Sequence, residues 1–196
     1  QIVHRSNGRL ERDIEICVQH EVPVWITSLG ARVEVNEAAH SCGGITLHDI
    51  INNKFAKKAI EKGADGLVLV CAGAGGHTGQ YAMAPFLDEV RQFFDGPIAV
   101  GGGISSGAAV LAVETLGADF AYVGTRFLTA EENLIGNDYR QMVIDSGIED
   151  LVASKAITGV LGVWMKASIA AAGMDLDDMK AEAKLDFSGD MHAGTK

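Results

Sequence analysis

The tripeptide Gly-Ala-Asp occurs twice, at 63–65 and at 117–119, each time just ahead of a short apolar run. The runs are Leu67–Cys71 and Phe120–Val123, and a third, Ile98–Val100, lies between them. The repeat therefore covers two strand–helix units of roughly 27 residues each, the usual size of a βα unit. Two further strand candidates, Val22–Gly30 and Ile45–Ile50, precede them. Such alternation gives a parallel sheet with helices outside it. The pattern alone does not separate an open doubly wound sheet from a closed barrel.

The intervening stretches set the helices. Residues 8–20 place Leu10, Ile14, Cys17 and Val18 at helical spacing. Residues 31–44 read as a loop with at most one helical turn. Asn53 reads as the cap of a helix through Phe55, Ala56, Ala59 and Ile60 that stops at Gly63. Pro85 starts a helix carrying Phe86, Leu87, Val90, Phe93 and Phe94, and another runs from about Ala108 to Gly117. From Ala130 the chain reads as mostly helical, with Tyr139, Met142 and Val143 on one face. The tail, 174–196, is polar and acidic and reads as poorly ordered.

Bulk properties exclude several functions. The 196 residues carry a net charge of −10 without a basic cluster, which argues against nucleic acid and anionic membranes. No apolar run approaches the roughly 18 residues of a membrane span. Cys17, Cys42 and Cys71 lack metal-ligand spacing, and their odd number suggests reduced thiols in a cytoplasmic-type compartment.

Chemistry concentrates where strands end. The continuous apolar run Leu67–Cys71 reads as a strand buried on both faces. It feeds a loop with Gly73, Gly75, Gly76 and Gly79 around His77. Glycines let a backbone lie against a ligand, and histidine titrates near neutrality. A Gly-rich turn with a solvated histidine is the bland alternative. Two consecutive strands also end in glycine turns, Gly101–Gly103 and Gly124–Thr125. In TIM barrels the turns after strands 7 and 8 commonly hold a phosphate on backbone N–H groups; two tight turns are the alternative. Counted this way, the central strand is strand 6 and the chain opens just before strand 4, as expected of a piece of a longer protein. Ser105 and Ser106 either touch phosphate or cap the next helix. Arg126 either pairs an anion or is solvated. His48 either lines the pocket or belongs to the core. His4, His20, His40 and His192 read as surface groups, Trp25 and Trp164 as packing residues, and Cys71 as buried and inert.

The runs GADGLVLVCAGAGGHTG, PIAVGGGISSG and GADFAYVGTRFLTAEE, in this order and spacing, resemble the nitronate monooxygenase family over about residues 8–173. The resemblance implies an α/β fold, a (β/α)8 TIM barrel of which about strands 4–8 and the C-terminal helices are present. Residues 1–173 would be the C-terminal portion of that barrel and 174–196 a tail. It implies FMN as the cofactor, no metal, a nitronate or nitroalkane substrate, and dioxygen as second substrate. His77 falls on the family's catalytic histidine. Its flavin contacts fall on Gly75, Gly103, Tyr122, Val123, Gly124 and Thr125, with Gly102 adjacent. Val70, Gly73 and Asp49 depart from residues that many members carry. Two alternatives stay open: an FMN-dependent NADH:quinone or enoyl-acyl-carrier-protein reductase on the same barrel, and a flavin-free phosphate-binding isomerase or aldolase.

Overall fold

The computed structural model describes residues 2–3 and 8–180. They form two compact units, divided after Leu134. In the first unit the elements run β1 (Ile2–Val3), α1 (Leu10–Gln19), β2 (Val24–Ser28), α2 (Val33–Ser41), β3 (Ile45–Ile50), α3 (Asn53–Glu61), β4 (Gly66–Val70), the two-residue β5 (Gly76–His77), α4 (Met83–Arg91), β6 (Ile98–Gly101), α5 (Gly107–Thr115) and β7 (Phe120–Tyr122). A 3-10 turn, Thr125–Thr129, follows.

Six strands make one sheet in the order β1-β2-β3-β4-β6-β7, every neighbouring pair parallel. A doubly wound sheet reverses its strand order at a switch point. Here the spatial order follows the chain without reversal, as in a TIM barrel. The sheet is buried on both faces along β4. On one side Leu67 and Leu69 pack with Ile50, Ile98 and Val100 against Ala56, Ala59, Phe86, Leu87, Val90 and Val113 of the helices. On the other, Val68 packs with Leu47 and Ala99.

The Gly-Ala-Asp echo has a structural cause. Gly63 and Gly117 take positive φ, +88° and +100°, just past the ends of α3 and α5, where a side chain would be strained. Ala64 and Ala118 are buried in the core. Asp65 accepts from the Thr46 N–H at 2.7 Å, and Asp119 from the Ile98 N–H at 2.8 Å. Each aspartate thus ties its own strand to the start of the preceding one. Each also bonds a basic side chain, His40 at 2.8 Å and Arg91 at 2.7 Å. Partial burial by itself raises the Asp119 carboxyl, but the Ile98 N–H and then Arg91 outweigh it and hold the group below the usual carboxylate range.

A lowered folded pKa contributes stability above the unfolded value, lost as pH falls through the folded one. Asp119→Ala is therefore expected to cost about 0.5–1.5 kcal/mol at neutral pH through the lost hydrogen bonds, solvent screening of the half-exposed carboxylate holding the figure down. The gap to wild type should narrow below about pH 4, where free aspartate begins to protonate. Thermal melts of both proteins from pH 7 to pH 3 check this; a gap independent of pH would assign the loss to packing.

The structure differs from the sequence reading in five places. Val33–Ser41 is a full helix rather than a loop. It buries Val35 and Ala39 against Trp25, together with a polar residue, Asn36, whose amide donates to the Lys62 carbonyl at 2.7 Å. Asn52, not Asn53, caps α3, accepting from the Phe55 N–H at 2.9 Å. α4 starts at Met83, which puts Pro85 at its third position, where the missing N–H costs no helical bond. A sixth strand, β1, precedes the expected five. Finally, the second unit is not mostly helical. Besides α6 (Asn137–Asp145), α7 (Lys166–Ala171) and α8 (Leu176–Lys180) it holds an antiparallel pair, β8 (Leu151–Ser154) with β9 (Gly162–Met165). Buried Ser154 donates to the Met179 carbonyl at 2.9 Å, fastening α8 to β8. The expected disorder from Met174 onward falls partly on α8 and otherwise on residues 181–196, outside the described residues.

Candidate functional site

Because β4, β6 and β7 are parallel neighbours, their C-terminal ends share one edge, where ligands of such sheets gather. The three glycine turns meet there. The Cys71 N–H donates to the Gly101 carbonyl at 2.8 Å, and the Gly103 N–H to the Gly73 carbonyl at 3.0 Å. Gly75 lies against the Thr125 hydroxyl.

The glycines fall into two sets. A Cβ on Gly102 would stand 2.9 Å from the Ala72 carbonyl oxygen, one on Gly79 would overlap the Val70 carbonyl oxygen, and one on Gly75 would overlap Thr125 Oγ1. These three are glycine because protein backbone or side chain already occupies the space. Gly124 is different. Its φ of −112° is not in the left-handed region that favours glycine, and a Cβ there would meet nothing within 4 Å. A Cβ on Gly103 would also face open space, although its φ of +66° independently favours glycine.

The loop after β4 is braced from within. Thr78 is buried, with its hydroxyl 3.1 Å from the Cys71 carbonyl oxygen and 3.2 Å from that of Gly79. The Ala72 N–H donates to the Tyr81 carbonyl at 2.8 Å. His77, exposed on β5, is thus presented from a closed loop rather than a loose one. Neither brace is visible in the sequence, since one uses a hydroxyl common in any loop and the other only backbone.

The remaining candidates sort by position. Tyr122 ends β7, and burial first, then the Asp49 charge, pushes its phenol up, so it stays a proton-bearing donor at neutral pH. Val123 packs its side chain on the core, leaving its backbone for any ligand. Ser106 resolves as a cap: its Oγ accepts from the Ala109 N–H at 3.2 Å at the head of α5. Ser105 and Arg126 are exposed, and Arg126 forms no ion pair among the described residues. His48 is buried, its Nδ1 2.6 Å from Thr27 Oγ1, in keeping with a core role. His40 remains partly exposed but is bonded to Asp65 rather than simply solvated. His4 and His192 lie outside the described residues. Among the described residues no cluster of His, Cys, Asp or Glu is arranged to hold a metal, and no helix is long and apolar enough to cross a membrane.

Cys71 is fully buried at the end of β4, and burial pushes its thiol up to about 11. The thiolate is the reactive form. Iodoacetamide at pH 8 is therefore expected to label the half-buried Cys17 and Cys42 well before Cys71, as peptide mass mapping would show. Equal labelling of Cys71 would mean that the strand end is open.

Comparison with known proteins gives a consistent picture. The family model described as nitronate monooxygenase matches residues 3–183. A protein of Staphylococcus aureus (strain MSSA476) named "Probable nitronate monooxygenase" is 35% identical over 159 residues, covering 76% of this chain and 45% of the relative. A protein of Rhodococcus jostii named "(3aS,4S,5R,7aS)-5-hydroxy-7a-methyl-1-oxo-octahydro-1H-indene-4-carboxyl-CoA dehydrogenase" is 27% identical over 147 residues, covering 75% of this chain and 42% of the relative. The chain thus spans less than half the length of these curated relatives. Among solved structures, a nitroalkane oxidase from Streptomyces ansochromogenes aligns with TM-score 0.72 and 25% identity over 79% of this chain and 48% of its own. FabK from Thermotoga maritima shares the fold, with TM-score 0.75 and 22% identity over 84% of this chain and 53% of its own.

Proposed function

Because the chain belongs to the nitronate monooxygenase family, we propose that it forms the phosphate-holding and base-bearing side of an FMN-dependent oxidoreductase that oxidises nitronates or nitroalkanes with dioxygen. One observation carries the reading. Gly124 lacks a side chain where neither its backbone angle nor any protein neighbour demands it, and it faces the same edge as the Gly103 turn and His77. Gly107, at the start of α5, is equally uncrowded, so this edge has room for a group from outside the protein, and a phosphate suits it.

The residues fit such a group. Backbone N–H groups at Gly124 and Thr125, with the start of α5, would hold the FMN phosphate beside the Gly103 turn, whose own N–H is bonded to the Gly73 carbonyl. Gly75, Gly102, Tyr122 and Val123 would line the cofactor through their backbones. FMN, when bound, supplies the electron chemistry. His77, when neutral, takes the α-proton of a nitroalkane, leaving the nitronate; when protonated, it donates a charge-assisted hydrogen bond to a nitronate oxygen. The Tyr122 phenol is available as a second donor.

Oxygen uptake by the purified protein with preformed nitronates tests this reading. Uptake is expected with nitronates and not with NADH and quinone. A second reading, a reductase or dehydrogenase of thioester substrates on the same barrel, draws support from the Rhodococcus jostii relative named as a carboxyl-CoA dehydrogenase. NADH- or thioester-dependent turnover without nitronate activity would favour it.

A further inference from the structure

A cleft of about 410 Å3 opens between the start of α3 and the start of α4. These helices follow β3 and β4, so the cleft lies on the same edge of the sheet as the glycine turns, but it shares no residue with them. One wall, Tyr81, is tied to the His77 loop through the hydrogen bond from the Ala72 N–H to its carbonyl.

Three features define what the cleft accepts. Asn53 donates its amide nitrogen to the Glu89 carboxylate. A carboxylate only accepts, so the amide cannot be turned round, and Oδ1 is left as an acceptor. That oxygen is covered and has no hydrogen-bond partner, a costly state for a buried acceptor. Next, Tyr81 is 53% exposed and its ring centroid lies 5.5 Å from that of Phe86, giving an aromatic wall to the cleft. Last, Lys54 at the rim forms no ion pair among the described residues. A flat ring carrying an N–H donor and joined to an anion answers all three. Phosphate alone brings no ring, and an acyl chain brings no anion.

We propose that this cleft binds the adenosine-phosphate end of a nucleotide co-substrate, its 6-amino group turned to Asn53, its purine against Tyr81 and a phosphate at Lys54. Because Oδ1 is covered in the structure, the proposal requires the exposed rim side chains to shift on binding. A nicotinamide dinucleotide and a coenzyme A thioester both carry this end. The proposal rests on the second reading, a reductase or thioester dehydrogenase, because oxidation of a nitronate by dioxygen needs no nucleotide co-substrate.

Calorimetric titration of the purified, flavin-loaded protein tests it, with ADP, adenosine and inosine diphosphate as probes and flavin fluorescence followed in parallel. ADP is expected to bind at one site without releasing flavin. Inosine diphosphate, with a carbonyl in place of the amino group, should bind about tenfold more weakly. Lys54→Met should weaken ADP and leave adenosine unchanged, and Asn53→Leu should abolish the preference for ADP over inosine diphosphate. Melting temperature serves as the folding control. Competition then separates the carriers: displacement of ADP by coenzyme A assigns a thioester, displacement by NADH a dinucleotide. Equal affinity for ADP and inosine diphosphate, no effect of Lys54→Met, displacement by neither carrier, or release of flavin by ADP would each overturn the proposal.

Discussion

Gly124→Val is expected to purify folded but with at least about tenfold weaker FMN binding than wild type. The argument is one of space. A Cβ on Gly124 has nothing within 4 Å, and the backbone is not in the left-handed region that demands glycine. The main expected effect of the valine is therefore to fill the open space beside the Gly103 turn. A valine overlapping a bound phosphate costs more than the roughly 1.4 kcal/mol that corresponds to tenfold in affinity. Gly103→Val should lose flavin too, but its positive φ adds backbone strain, so its melting temperature should also drop. Flavin content per chain and thermal melting separate the two effects. Full flavin occupancy in a folded Gly124→Val protein would place the phosphate elsewhere.

His77→Asn is expected to keep FMN and fold but to lose about 10²-fold or more in turnover of neutral nitroalkanes, in line with general-base magnitudes. The variant keeps the braces that the Thr78 hydroxyl and the Ala72 N–H make in its loop. Preformed nitronates have no α-proton left to lose, and their turnover should fall much less. Steady-state rates on both substrates decide it. Equal small losses would make His77 a lining residue; equal large losses would assign it to binding or flavin positioning.

The barrel-like order was legible because the repeat that announces it is structural. Asp65 and Asp119 do the same work two units apart, so a sequence echo reports a spatial one. The buried run at Leu67–Cys71 was legible for the same reason, since a strand covered on both faces has no polar positions to blur it. Other elements left weaker marks. α2 hides in a stretch with few apolar residues because one of its buried positions is filled by Asn36, whose partner lies at Lys62. β1 is two residues long and exists only by pairing with β2. The β8–β9 pair is made of four-residue strands whose pairing, not composition, defines them.

At the candidate site the glycines were visible as glycines, but their reasons were not. Gly102 and Gly124 look alike in sequence; only coordinates show that protein crowds the first and nothing crowds the second. The opposite holds for His48 and His77, whose different burial follows from strand against loop position.

The central claim is that the turns after β6 and β7 hold a flavin phosphate. Its most direct test is to denature the purified protein and identify what it releases by absorbance and mass. The account predicts a yellow protein that releases about one FMN per chain, and a Gly124→Val variant that is nearly colourless. A colourless wild type that takes up no FMN when incubated with it would contradict the claim.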